Sequence, residues 1–151
     1  MIISFDLDDT LIPTTKRFET ERRNMLQRVC DIEELRIGTI QLMKTLQTQG
    51  YKIFIYTTSL RKTNKIWLMF FSYGIKLDKV INQTIHERTL RENYSNYSKY
   101  PPAFNIDIHI DDSRGVEVEG SRFGFKTIIV AADNTNWAEF ILQNILAHTT
   151  T

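Results

Sequence analysis

An α/β fold with a central, mainly parallel sheet of five strands is predicted by three observations. Five short apolar runs recur along the chain, and helical spacing of apolar residues fills most of the gaps between them. The second run, YKIFIYT, is apolar at successive positions, as a strand covered on both faces must be. Three runs end in clusters of acidic or hydroxyl side chains. Alternating strands and helices imply a three-layer α/β/α sandwich of the Rossmann-like kind, and 151 residues suit a single domain, 1–151.

The elements follow in order. IISFDL, residues 2–7, reads as a buried strand. Phe18, Met25, Leu26 and Val29 have the spacing of a helix over residues 14–29, with Thr14 or Thr15 as its cap. The RRNMLQR run inside it reads as the helix's solvated face. Asp31 followed by Glu34 predicts a capping box for a second helix, with Leu35, Ile40, Met43 and Leu46 on one face and a stop at Gly50. The second strand is 51–57, and a third helix ends at Gly74. KVIN, 79–82, FNIDIHI, 104–110, and FKTIIVA, 125–131, are the remaining strands. A last helix begins near Asn136, with Glu139 three residues on. Residues 83–103 are polar and Tyr-rich, helical around Glu87–Glu92 and otherwise a loop. Thr149 to Thr151 read as a frayed tail.

Composition excludes several classes. Hydrophobic residues are 42% and charged residues 25%, which is globular rather than disordered. A net charge of +1 supplies no field for DNA, RNA or an anionic membrane, so nucleic acid is a disfavoured partner. Cys30 is the only cysteine, so no internal disulfide forms. The first residues lack the pattern of a signal peptide, and the apolar run IWLMFF at 66–71 is too short to span a bilayer. A cytoplasmic protein with no membrane contact is expected.

Ligands of open α/β sheets bind outside the carboxyl ends of the strands. Asp6 and Asp8 follow the first strand, Thr57, Thr58 and Ser59 the second, and Asp111, Asp112 and Ser113 the fourth. Two unit charges 4 Å apart repel by roughly 4 kcal/mol at an effective dielectric near 20. Four carboxylates at one end of the sheet therefore call for a cation, and a hard ion such as Mg2+ suits oxygen ligands. Thr57 and the amides after it stand where phosphate oxygens could bind, and Lys99 can add a fixed positive charge. A carboxylate is a competent nucleophile toward phosphorus, and a second one two residues on can serve as general acid and base.

These residues resemble the motifs of the haloacid dehalogenase superfamily. DLDDT, Asp6 to Thr10, resembles its DxDx[TV] motif, and IFIYTTS, with Thr57 as the match, its Ser/Thr motif. Lys99 is chosen as its lysine, and IHIDDS, with Asp111 and Asp112, resembles its acidic pair. The resemblance implies a Mg2+-dependent phosphatase in which Asp6 attacks phosphorus and ligates the metal. Asp8 would act as acid and base and lend its backbone carbonyl to the metal. Thr57 and Lys99 would hold phosphoryl oxygens, with the amides of Leu7, Asp8 and Thr58. Asp112 would ligate the metal, and Asp111 would ligate it or orient a metal-bound water.

Other features read more plainly. Asp9 is expected to hydrogen-bond the turn, and Lys79, at the wrong end of its strand, to point away from the site. His109, inside a strand, is expected to pack against a helix or face solvent, and no spacing suits zinc. Tyr94, Tyr97 and Tyr100 could stack on a base, but loop packing is the favoured reading. Neither gap between motifs holds a full cap domain. The site would be open to a phosphorylated small molecule or macromolecule, with a partner or a second copy as a possible lid. The alternative is a receiver-like phospho-aspartate module, or a non-catalytic relative. Receivers carry their phosphorylated Asp after the third strand, where this chain has Asn82.

Overall fold

A computed structural model describes residues 1–149, apart from the side chains of Tyr94 and Thr149; Thr150 and Thr151 of the expected tail lie outside the described residues. The strands are β1 (Ile2–Phe5), β2 (Lys52–Tyr56), β3 (Lys79–Ile81), β4 (Ile108–Asp111) and β5 (Lys126–Ile129). All pair in parallel in the order β3-β2-β1-β4-β5, so β1 lies at the centre. The helices are α1 (Met25–Val29), α2 (Thr39–Thr48), α3 (Thr63–Ser72), α4 (Gln83–Leu90), α5 (Arg114–Phe123) and α6 (Trp137–Thr149).

The period-2 alternation of the strands builds two unlike faces. Ile3, Phe5, Ile53, Ile55, Ile108, Ile110 and Ile128 share one face and form the main core with α2, α3 and α6. Phe54, Tyr56 and Ile81 point the other way and meet Phe104 and Ile106 in a smaller core beside Ile85 of α4. On this second face α5 crosses β5 so closely that a Cβ on Gly120 would meet the Phe125 carbonyl oxygen at 2.8 Å.

Several sequence expectations need correction. The helix expected over 14–29 shrinks to α1. Asp9 accepts from the backbone N–H groups of Thr14, Thr15 and Lys16, which fixes that stretch as a loop rather than a first turn. Asn24 is the cap, in a capping box with Gln27. Gln27 is the buried residue of α1 and donates to Ser72, while Met25, Leu26 and Val29 stay exposed. The Asp31–Glu34 box does not form. Asp31 is in the left-handed region, and Glu34 pairs with Arg23 and Thr20. Helix α2 instead starts at Thr39 after Gly38, whose φ of 90° suits glycine. β4 begins at Ile108 rather than at 104, because Pro101–Phe104 forms a turn of 3-10 helix. Helix α5 was not anticipated at all. Its apolar side chains are Val116, Val118 and Phe123, and two glycines interrupt its pattern. Between Leu11 and α2 stands only one five-residue helix.

Arg36 ties this segment down. Its guanidinium is buried, lies 4.6 Å from the Phe18 ring and 4.8 Å from the Trp137 ring, and donates to the carbonyls of Ala131, Ala132 and Asn134.

Candidate active site

The chain runs β1–β2–β3 to one side of the sheet and β4–β5 to the other, so the topological switch falls between β1 and β4. Asp6 follows β1 there, its backbone N–H donating to the Ile110 carbonyl, and Asp111 ends β4. The register puts Phe5 opposite Ile110, so both acids emerge at the same end of the sheet. Oxygens of Asp6, Asp111 and Asp112 lie within 4.8 Å of one another.

Lys99 reaches this cluster from the Tyr-rich segment. Its ammonium lies 2.5 Å from Asp6 Oδ1, 2.6 Å from the Tyr56 carbonyl oxygen and 3.7 Å from Asp111 Oδ2. Lys99 is 3% exposed, so the pair is screened little by water. Tyr56 also fixes the lysine's neighbour. Its phenol oxygen accepts from Tyr100 N and lies 2.5 Å from His86 Nδ1. Tyr97 stacks on Tyr100, with centroids 4.4 Å apart, and meets Phe123 edge-on, which is loop packing. The side chain of Tyr94 lies outside the described residues. Lys79 sits over the rings of Phe54 and Phe104, at the far end of β3.

The acids are not equivalent electrostatically. Burial pushes Asp6 up to about 6; Lys99 pulls the other way and Asp111 adds to the rise. Burial would also raise Asp111. The His109 hydrogen bond, the Lys99 charge and the Ser113 N–H outweigh it and bring Asp111 down to about 2. Asp112 is held by Lys16, 2.5 Å away, with Thr10 Oγ1 at 3.4 Å.

Asp8 projects from the same turn, but its carboxylate stands apart from this cluster. It accepts from Arg61 Nη1 at 2.8 and 2.9 Å and from the Thr14 hydroxyl at 2.7 Å. Arg61 in turn forks onto Glu33 through Nε and Nη2. Asp9 accepts hydrogen bonds, as expected, but from the amides of residues 14–16. Thr57 is buried just past β2, and its hydroxyl accepts from Ser59 N.

His109 does not face solvent: it is buried and bonds Ser4 Oγ at 2.7 Å and Asp111 Oδ2 at 3.0 Å. Burial lowers its basicity. Sequence reasoning also passed over Lys16 and Arg61. Lys16 lies seven residues past Asp9, on a stretch read as helix, and Arg61 two residues past Ser59.

The residues fit a hard divalent cation. The donor set is all carboxylate, drawn from two strand ends, and carries more negative charge than the two lysines balance.

No protein-family model and no curated protein matches the sequence. Among solved structures, a chain of the Pnkp1/Rnl/Hen1 complex is similar, with a TM-score of 0.53 and 16% identity over 87% of this chain. This chain spans 45% of that one's length. At that identity the likeness shows a shared α/β fold. No helix among the described residues is long and apolar enough to cross a membrane.

Proposed function

We propose that this chain is a Mg2+-dependent phosphomonoester hydrolase of the haloacid dehalogenase type, working through an aspartyl-phosphate on Asp6. The observation that carries the reading is the meeting of buried Asp6, Lys99 and Asp111 with half-buried Asp112 at the sheet's switch point. Purely structural ion pairs seldom gather three carboxylates, because the surplus charge must be desolvated.

Mg2+, held by Asp6, Asp111 and Asp112, would neutralise charge on the phosphoryl oxygens. The chain's own groups do the rest. An oxygen of Asp6 attacks phosphorus and the bond to the ester oxygen breaks. Lys99 and Thr57 hold phosphoryl oxygens as charge moves onto them. Asp8, two residues further on, delivers a proton to the departing oxygen. Water then attacks the phosphorus of phospho-Asp6, Asp8 takes its proton, and inorganic phosphate and free Asp6 result.

The receiver-like alternative forms the same phospho-aspartate and keeps it. Rapid acid quench with acetyl phosphate and Mg2+, followed by peptide mass analysis, separates the two. The hydrolase reading expects label on Asp6 that disappears within turnover time. Label that persists on Asp6 without phosphate release would favour a signalling module, and label elsewhere would reject Asp6.

A further inference from the structure

β1 and β4 are neighbours with Ser4 directly opposite His109. On one face these strands carry Ile3, Phe5, Ile108 and Ile110, all core residues. On the other they carry Ser4, Asp6, His109 and Asp111, all buried. A hydroxyl and an imidazole, each 0% exposed in the middle of a sheet, destabilise the fold unless hydrogen-bonded, and an apolar pair would pack there at no such cost. Their bonding is complete and directional. A carboxylate oxygen can only accept, so His109 carries its proton on Nε2 and donates it to Asp111 Oδ2. In the neutral imidazole Nδ1 then holds a lone pair and accepts from the Ser4 hydroxyl. Ser113 N–H holds the other oxygen, Oδ1, at 2.9 Å. The Asp111 carboxylate is thus fixed at both oxygens, and each keeps a further lone pair for a cation. The Tyr56 ring, 5.5 Å from the imidazole, closes the site from the β2 side.

We infer that Ser4 and His109 are positioning residues that set the rotation of the Asp111 carboxylate for a divalent cation. The inference rests on the metal reading proposed above. Ser4 fixes the ring, the ring fixes the carboxylate, and neither side chain touches the metal or the substrate. Partners of this kind behind metal ligands change metal affinity by about 10–100-fold when removed.

The test is Mg2+ affinity of the full chain without substrate, by isothermal titration, for wild type, His109→Leu, His109→Gln and Ser4→Ala. Circular dichroism and thermal unfolding identify which variants are folded. The expected result is about 10–100-fold weaker binding for His109→Leu. Most of that loss is recovered by His109→Gln, whose amide can still donate to Asp111, and Ser4→Ala shows a smaller loss than the leucine variant. If the leucine variant does not fold, weakened binding by Ser4→Ala with near-native binding by His109→Gln supports the inference, and unchanged binding by Ser4→Ala overturns it. A folded His109→Leu with wild-type affinity also overturns it, while leaving the metal site standing. A wild-type chain that binds no Mg2+ at millimolar concentrations removes the metal reading and this inference together.

Discussion

The ammonium of Lys99 lies 2.5 Å from the Asp6 carboxylate, although 93 positions separate the two in sequence. The Tyr56 carbonyl shares that ammonium at 2.6 Å, so the lysine is held at the junction of β1 and β2. Removing one partner of a buried pair leaves the other uncompensated and costs about 3–5 kcal/mol. Lys99→Met is therefore expected to destabilise the metal-free protein by about that amount at pH 8. The loss shrinks at pH 5, where Asp6 can take a proton, and Mg2+ restores part of it at pH 8. Urea unfolding at the two pH values checks this. An equal loss at both would mean that the charge on Asp6 is not what Lys99 compensates.

Asp6 should give the metal-free protein a contribution to stability that falls as pH rises. Asp6 has a folded value of about 6, above its ordinary 3.8, so the native state binds the extra proton between them. The Asp6 contribution to native stability then falls as pH rises through that window, while His109, whose basicity burial lowers, contributes in the opposite sense. Asp111 acts oppositely. Its folded value of about 2 lies below 3.8, so its contribution is lost as pH falls through that lower window. Unfolding in EDTA from pH 4 to 7 should show that contribution as a difference between wild type and Asp6→Asn that changes with pH, and saturating Mg2+ should alter it. A difference that stays constant from pH 4 to 7 in EDTA would contradict the buried, proton-binding state of Asp6.

Asp8→Asn should reveal its role through the leaving group. Loss of a general acid lowers rates by about 10²–10⁴-fold where the departing oxygen needs a proton. An alkyl phosphate should show a fall of that size. p-Nitrophenyl phosphate, whose phenolate departs unprotonated, should show a smaller one in a single-turnover measurement. Equal losses on both would assign Asp8 a different task.

Much of this was legible from residue pattern, and the failures have physical causes. The sheet was readable because five runs are apolar enough to be buried, and because the polar clusters mark their carboxyl ends. Asp6, Asp111, Asp112 and Lys99 do meet. The loop at 14–24 was misread because Phe18 falls in helical spacing with Met25, Leu26 and Val29 beyond it, while the decisive interaction is the Asp9 side chain taking three backbone amides. α5 was missed because Gly115 and Gly120 dilute its pattern, and Gly120 stands where β5 passes too close for a side chain. His109 was discounted because a strand residue has two faces to choose from. The choice became visible only once the register set it opposite Ser4. Arg61 and Lys16 pair with residues 53 and 96 positions away, which no local pattern encodes.

Gly120→Ala tests the packing of α5 on β5. The added Cβ would meet the Phe125 carbonyl oxygen at 2.8 Å and Thr127 Cγ2 at 3.0 Å. Backbone must shift, and overpacking of this kind costs about 1–3 kcal/mol. Thermal unfolding should show a lowered midpoint. An unchanged or raised one would mean that α5 sits further from β5 than described.

The most direct test of the account is Mg2+-dependent phosphate release from p-nitrophenyl phosphate and a panel of phosphorylated metabolites and peptides, wild type against Asp6→Asn. The account predicts turnover by the wild type that EDTA removes and Mg2+ restores, and none by a folded Asp6→Asn. Turnover by Asp6→Asn at the wild-type rate, or a wild type inert toward the whole panel with Mg2+ present, would contradict it.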